Sequence, residues 1–87
     1  MAAIQLILYS RPGCHLCAEM KQIAQPVAAA FTCELLEVDI SQDATLEARF
    51  GHEVPVLMIN GRKAFKYRLS ARELRQRLQH ERAPSSL

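Results

Sequence analysis

Ile4-Gln5-Leu6-Ile7-Leu8-Tyr9-Ser10-Arg11-Pro12-Gly13-Cys14-His15-Leu16-Cys17 decides the fold, because within it one secondary-structure period gives way to another. Ile4 to Tyr9 is almost wholly apolar, the composition of a strand covered on both faces. Ser10-Arg11-Pro12-Gly13 carries the turn chemistry that ends it. From Cys14 onward the apolar positions change to three-to-four spacing, and Leu16, Met20, Ile23, Val27 and Phe31 form one stripe of a helix over Cys14–Phe31. Pro26 falls inside that helix. It lacks a donor and its ring meets the carbonyl four residues back, so a kink is expected there.

Outward from this unit, Cys33 to Ile40 alternates, with Leu36, Val38 and Ile40 on one side and Glu37 and Asp39 on the other, as in an edge strand. Ser41 is the expected cap of a short helix that buries Leu46 and Phe50, and Gly51 its left-handed stop. After a His52-Glu53 loop and Val54-Pro55, the run Val56-Leu57-Met58-Ile59 reads as a second central strand. Asn60-Gly61 is a two-residue hairpin turn, and Arg62 to Tyr67 the returning edge strand. Ser70 and Glu73 form a capping box for a last helix whose Leu74 and Leu78 face the core. The order predicts an α/β domain, βαβαββα, with a four-stranded mixed sheet and three helices. Its first two strands are parallel through a right-handed crossover and its last two an antiparallel hairpin.

The 87 residues suffice for one domain, expected over 1–82, with 83–87 as a frayed tail. Apolar residues make up 49% of the chain and charged residues 23%, as in ordinary globular proteins. The first apolar run has no basic segment before it, so it reads as a strand and not a signal peptide, and no stretch nears the roughly 18 apolar residues of a membrane span. A monomer in the cytoplasm is expected. Residues 1–60 carry three Lys/Arg against seven Asp/Glu, whereas residues 61–87 carry eight against two. This basic end lacks the aromatic interleaving of a nucleic-acid platform, and its default reading is a solvated helix face.

Three cysteines, two of them three residues apart, do not make a secreted disulfide scaffold. Cys14 and Cys17 lie one turn apart on one helix face, close enough to close a disulfide. Cys14 falls at the helix entrance, where unpaired N–H groups and the helix dipole favour a thiolate, and Cys17 lies one turn deeper. Cys14 is therefore the expected nucleophile and Cys17 the resolving thiol. Arg11 and a protonated His15 are candidates to stabilise the Cys14 thiolate further. A closed zinc site needs four ligands, for which only Cys33, His15, His52 and His80 remain, so no metal site is assigned. Haem attachment requires histidine where Ala18 stands. Cys33 reads as a small core residue. A soft-metal carrier for Cu(I) or Zn and a redox-inactive adaptor stand as alternatives to redox exchange.

The run Tyr9 to Cys17, together with Val54-Pro55 before the third strand, resembles the glutaredoxin-like branch of the thioredoxin superfamily over nearly the whole chain. The Cys-His-Leu-Cys tetrad and Phe50-Gly51-His52-Glu53-Val54-Pro55-Val56-Leu57 are similar to its small glutaredoxin-like members. The resemblance implies a thioredoxin-like fold and thiol–disulfide oxidoreductase activity towards a disulfide-bearing protein or small thiol. It also implies that Pro55 is a cis proline beside the cysteines and that the Val54 backbone offers strand-like hydrogen bonds to a thiol partner. Arg11, Pro12, His15, Val54 and Pro55 are then the expected substrate contacts. Glutathione-binding glutaredoxins usually carry Gly-Gly and an acidic residue where this chain has Tyr67-Arg68-Leu69-Ser70, and the Trp-Cys-Gly-Pro-Cys signature of thioredoxins is missing. Glutathione, a thioredoxin reductase or neither therefore stands as the reductant, with no bound cofactor expected.

Overall fold

A computed structural model describes residues 4–82; the expected tail at 83–87 lies outside them. The elements are β1 (Gln5–Ser10), α1 (His15–Ala30), β2 (Glu34–Asp39), a 3-10 turn (Ile40–Gln42), α2 (Ala44–Phe50), β3 (Val56–Ile59), β4 (Arg62–Lys66) and α3 (Ala71–Arg82). The sheet order is β2-β1-β3-β4. β1 pairs parallel with β2 and antiparallel with β3, and β3 with β4 is the antiparallel hairpin. The four-stranded mixed sheet and three helices agree with the sequence reading. Both apolar runs, β1 and β3, occupy the centre, since a strand without polar residues must be covered on both faces.

Pleating sends alternate residues of these central strands to opposite faces. Leu6, Leu8, Leu57 and Ile59 join Met20, Ala24, Val27 and Ala28 of α1 and Leu74 and Leu78 of α3 in the larger core. Ile7, Tyr9, Val56 and Met58 face the other way, against Ile40, Leu46 and Phe50. There the Tyr9 and Phe50 rings stack with centroids 4.5 Å apart. α1 continues through Pro26 as one helix, and its buried residues extend on to Val27 and Ala28.

The Asn60-Gly61 turn holds both residues at positive φ, 50° and 82°, as a type I′ hairpin requires. Asn60 also pins the turn to the first strand: its Oδ1 accepts from the Gln5 N–H (3.0 Å), and its own N–H donates to the Gln5 carbonyl (2.9 Å). At α3, the Glu73 N–H donates to Ser70 Oγ (3.1 Å) and the Ser70 N–H returns to Glu73 Oε1 (3.3 Å), the reciprocal capping box expected.

Four expectations need correction. Ser41 does not cap α2; Asp43 does, its carboxylate accepting from the Thr45 and Leu46 N–H groups, while Asp39 accepts from the Ser41 N–H and hydroxyl at the preceding 3-10 turn. Those Ser41 bonds hold the Asp39 carboxyl below its ordinary pKa range. Gly51 is right-handed (φ −56°), so it does not stop α2 by a left-handed turn. Leu36 is 43% exposed, and Leu35 is the β2 leucine that packs against the larger core. β4 ends at Lys66, and a bulge opposite Leu57/Met58 breaks its alternation, so that Ala64 and Phe65 both reach that core.

Candidate functional site

The turn after β1 delivers Cys14 to the N-cap of α1. Gly13 holds φ +75°, the Cys14 N–H closes the turn on the Arg11 carbonyl (3.3 Å), and Cys14 itself is extended (φ −88°, ψ 112°). An N-cap side chain accepts from the first turn of its helix, and here the acceptor is sulfur: the Cys17 N–H donates to Cys14 Sγ at 3.1 Å. The two cysteines are joined in a disulfide, with Cα atoms 5.2 Å apart. Cys14 is half-buried, whereas Cys17 is 3% exposed and part of the core. The outer cysteine is partly exposed and the inner one is not.

Two ties hold the Gly51–Pro55 segment in place. Arg11 Nη2 bonds both Glu47 Oε2 and the Gly51 carbonyl (3.1 Å), linking the loop before Cys14 to the end of α2. On the other side the Tyr67 N–H donates to the Pro55 carbonyl (2.9 Å) and its hydroxyl to the His52 carbonyl (3.0 Å). Tyr67 adopts φ 68° to do so, and is 42% exposed. Within the segment the Val54–Pro55 peptide bond is cis, Pro55 is buried, and the Val54 N–H donates to the Phe50 carbonyl (3.1 Å). Only the Val54 carbonyl is thus left to offer a partner the strand-like bonds expected of that backbone.

The remaining site candidates fall at the rim. Pro12 is exposed. His15 is 86% exposed, its Nε2 3.0 Å from Glu19 Oε2. Arg11, expected to support the Cys14 thiolate, has its guanidinium on Glu47 and Gly51. An open groove of about 580 Å³ lies beside Leu16, which directly precedes Cys17, and is closed on its far side by Tyr67 to Ser70. No local pattern in the sequence marks this groove, because its walls lie some fifty residues apart in the chain. Cys33 is half-buried and packs against the larger core. Among the described residues no group of three or more His, Cys, Asp or Glu side chains is placed to hold a metal ion. No helix among them is long and apolar enough to cross a membrane.

This geometry can be set beside known proteins. Residues 5–79 match the family described as Glutaredoxin-like domain. The chain belongs to the glutaredoxin-like family. A relative in Dictyostelium discoideum, named glutaredoxin-like protein YDR286C homolog, is 31% identical over 83% of this chain and 72% of its own length. An X-ray structure of the structural-genomics target protein XcR50 from X. campestris superposes with a TM-score of 0.74 at 35% identity, covering 91% of this glutaredoxin-like chain and 99% of the other. A mutant thioredoxin from Halobacterium salinarum superposes with a TM-score of 0.73 at 14% identity over 93% and 76% of the two chains, a likeness of fold alone. The fold of this glutaredoxin-like protein is thioredoxin-like, and the Cys14–Cys17 pair stands at its first helix.

Proposed function

We propose that this protein is a thiol–disulfide oxidoreductase in which Cys14 attacks a disulfide of a protein or small thiol and Cys17 resolves the product. The observation that carries the reading is the asymmetry of the pair. Cys14 is accessible at a helix N-terminus with the Cys17 N–H on its sulfur, and Cys17 is buried one turn deeper. N–H donors and the helix dipole favour negative charge on that outer sulfur. The attack joins Cys14 to one substrate sulfur and expels the other as a thiolate; Cys17 then displaces the first, leaving the Cys14–Cys17 disulfide and two reduced substrate thiols. The Val54 carbonyl, Pro12 and His15 are the proposed neighbours of the bound substrate, with Pro55 and Arg11 holding the walls. Glutathione or a reductase returns the pair to the dithiol, and the protein works as a monomer in the reducing cytoplasm.

Replacement of Cys17 by serine tests the scheme. The reduced Cys17→Ser protein is expected to accumulate a Cys14 adduct with bis(2-hydroxyethyl) disulfide, visible by intact mass, while the wild type turns the adduct over. Alkylation across redox buffers is expected to report one two-electron transition within the roughly −270 to −120 mV covered by related dithiols. Absence of any adduct on a Cys14 that still reacts with iodoacetamide overturns the mechanism and returns the adaptor reading. Stoichiometric copper or zinc on protein purified without chelator returns the metal-carrier reading.

A further inference from the structure

β4 is followed by a turn that its residues do not favour. The Arg68 N–H donates to the Lys66 carbonyl (2.8 Å), a bond that spans two residues, and Tyr67 between them holds φ 68°. This is the positive-φ form of the γ-turn, rare and strained. The strain is greater for a residue with a Cβ, which the left-handed region crowds against the following carbonyl oxygen. Glycine would take this φ without that cost. A tyrosine here therefore points to a use for its side chain. Burial is not that use, since Tyr67 is 42% exposed. Lys66 Nζ, 5.4 Å from the ring centroid, adds only an exposed cation–π contact. The hydroxyl has a definite partner: it donates to the His52 carbonyl (3.0 Å), while the N–H of the same residue donates to the Pro55 carbonyl (2.9 Å).

One residue thus grips the loop on both sides of Val54, two positions before it and one after. The Gly51 carbonyl is held by Arg11 and the Glu53 carboxylate by Lys63, whereas the Val54 carbonyl accepts no hydrogen bond among the described residues. Tyr67 also lines the groove beside Leu16, so the same residue joins this loop to the groove that flanks the cysteine-bearing helix. We infer that Tyr67 is a positioning residue for the exchange: its hydroxyl, fixed on the His52 carbonyl, holds the Val54 carbonyl in the orientation that receives a main-chain N–H of a polypeptide disulfide. The inference rests on the redox reading above. Within that reading it favours polypeptide disulfides over those that carry no amide N–H. No atom of Tyr67 enters the exchange itself, in which electrons pass between sulfur atoms alone.

The test compares two disulfides that differ only in their main chain. One is the homodisulfide of a capped five-residue peptide with cysteine at its centre and alanine elsewhere; the other has ester oxygens in place of the N–H groups at and beside the cysteine. Stoichiometric reduced protein is mixed with each in a single turnover. Each rate is divided by that with bis(2-hydroxyethyl) disulfide, which cancels any general change in Cys14 reactivity. The wild type is expected to reduce the peptide about fivefold faster than the ester form, the worth of about one net hydrogen bond. In Tyr67→Phe, which lacks only the hydroxyl, that ratio is expected to fall to about one. Tyr67→Gly relaxes the turn and is expected to lose the preference as well while melting as a folded protein, which separates positioning from stability. Either variant suffices if the other does not fold. A preference that persists in a folded variant overturns the inference. So does a wild type that reduces peptide and ester form alike, and if it still reduces bis(2-hydroxyethyl) disulfide the redox reading stands. A wild type that does not reduce bis(2-hydroxyethyl) disulfide removes the redox reading and this inference with it.

Discussion

Gly51 occupies a position that no larger residue enters without displacing backbone. A Cβ built there meets the Glu47 carbonyl oxygen at 2.5 Å, Glu47 Oε2 at 2.8 Å and Arg11 Nη2 at 3.3 Å. The first contact is with main chain that is itself hydrogen-bonded to the Gly51 N–H at 2.8 Å, so relief requires α2 to move. Gly51→Ala is therefore expected to cost about 1–3 kcal/mol in urea denaturation, in the range of overpacked sites, and to loosen the Arg11 tie. A variant as stable as the wild type removes the steric argument. The sequence marks Gly51 as special and misleads about the reason, because a glycine after a helix ordinarily signals positive φ, whereas this one is needed for close approach. Arg11 was misleading in the same way. Its place three residues before Cys14 suggests support of a thiolate, but its hydrogen-bond partners are 36 and 40 residues further along, a distance over which no local pattern speaks.

Among the elements, β2 depends most on charge. Lys21 of α1 places Nζ 2.8 Å from Glu37 Oε1, and the buried Ser10 donates its hydroxyl to Glu37 Oε2 (3.0 Å), so one carboxylate joins α1, β1 and β2. The Lys21 hydrogen bond chiefly, with that of Ser10, holds the Glu37 carboxyl below its ordinary range against the opposing effect of burial. A folded-state value lower than the unfolded one means that the bond stabilises the fold above the ordinary glutamate range. Its contribution is lost as pH falls through the lowered value. Because both side chains are about 40% exposed, screening limits the pair to about 0.5 kcal/mol. Denaturation of wild type and Glu37→Gln is expected to differ by that amount at pH 7 and to converge in acid; a gap that widens in acid reverses the sign. Elements were legible where the turn chemistry is local, as at Asn60-Gly61 and Ser70/Glu73. They were ambiguous where equivalent signals stand close together, since Asp39, Ser41 and Asp43 are all competent caps. The alternation of β2 shows two faces without showing that the helices lie over Leu35, and so Leu36 was misplaced.

At the scale of the molecule the sheet divides two cores of unequal size. The larger joins α1 and α3 to β1 and β3, while the smaller buries only Ile40, Phe50, Val56 and Met58. α2 has seven residues, too few to be helical alone, and Phe50 is its one buried side chain. It therefore relies on the stacking of Phe50 on Tyr9 and on the Arg11 tie. Native-state hydrogen exchange is expected to resolve two openings, with the Gly51 and Val54 amides exchanging at a free energy at least about 1 kcal/mol below that of the Leu6 and Leu57 ladder amides. Mutations sort the two states thermodynamically. Arg11→Ala should lower both openings equally, since the tie is broken in each. Ile59→Val, in the larger core, should lower the strand opening by about 1 kcal/mol and leave that of α2 unchanged, because the partially open state keeps that core packed. If Ile59→Val lowers both, α2 and the strands unfold together, and the segment from Gly51 to Pro55 is no more free to move than the sheet itself.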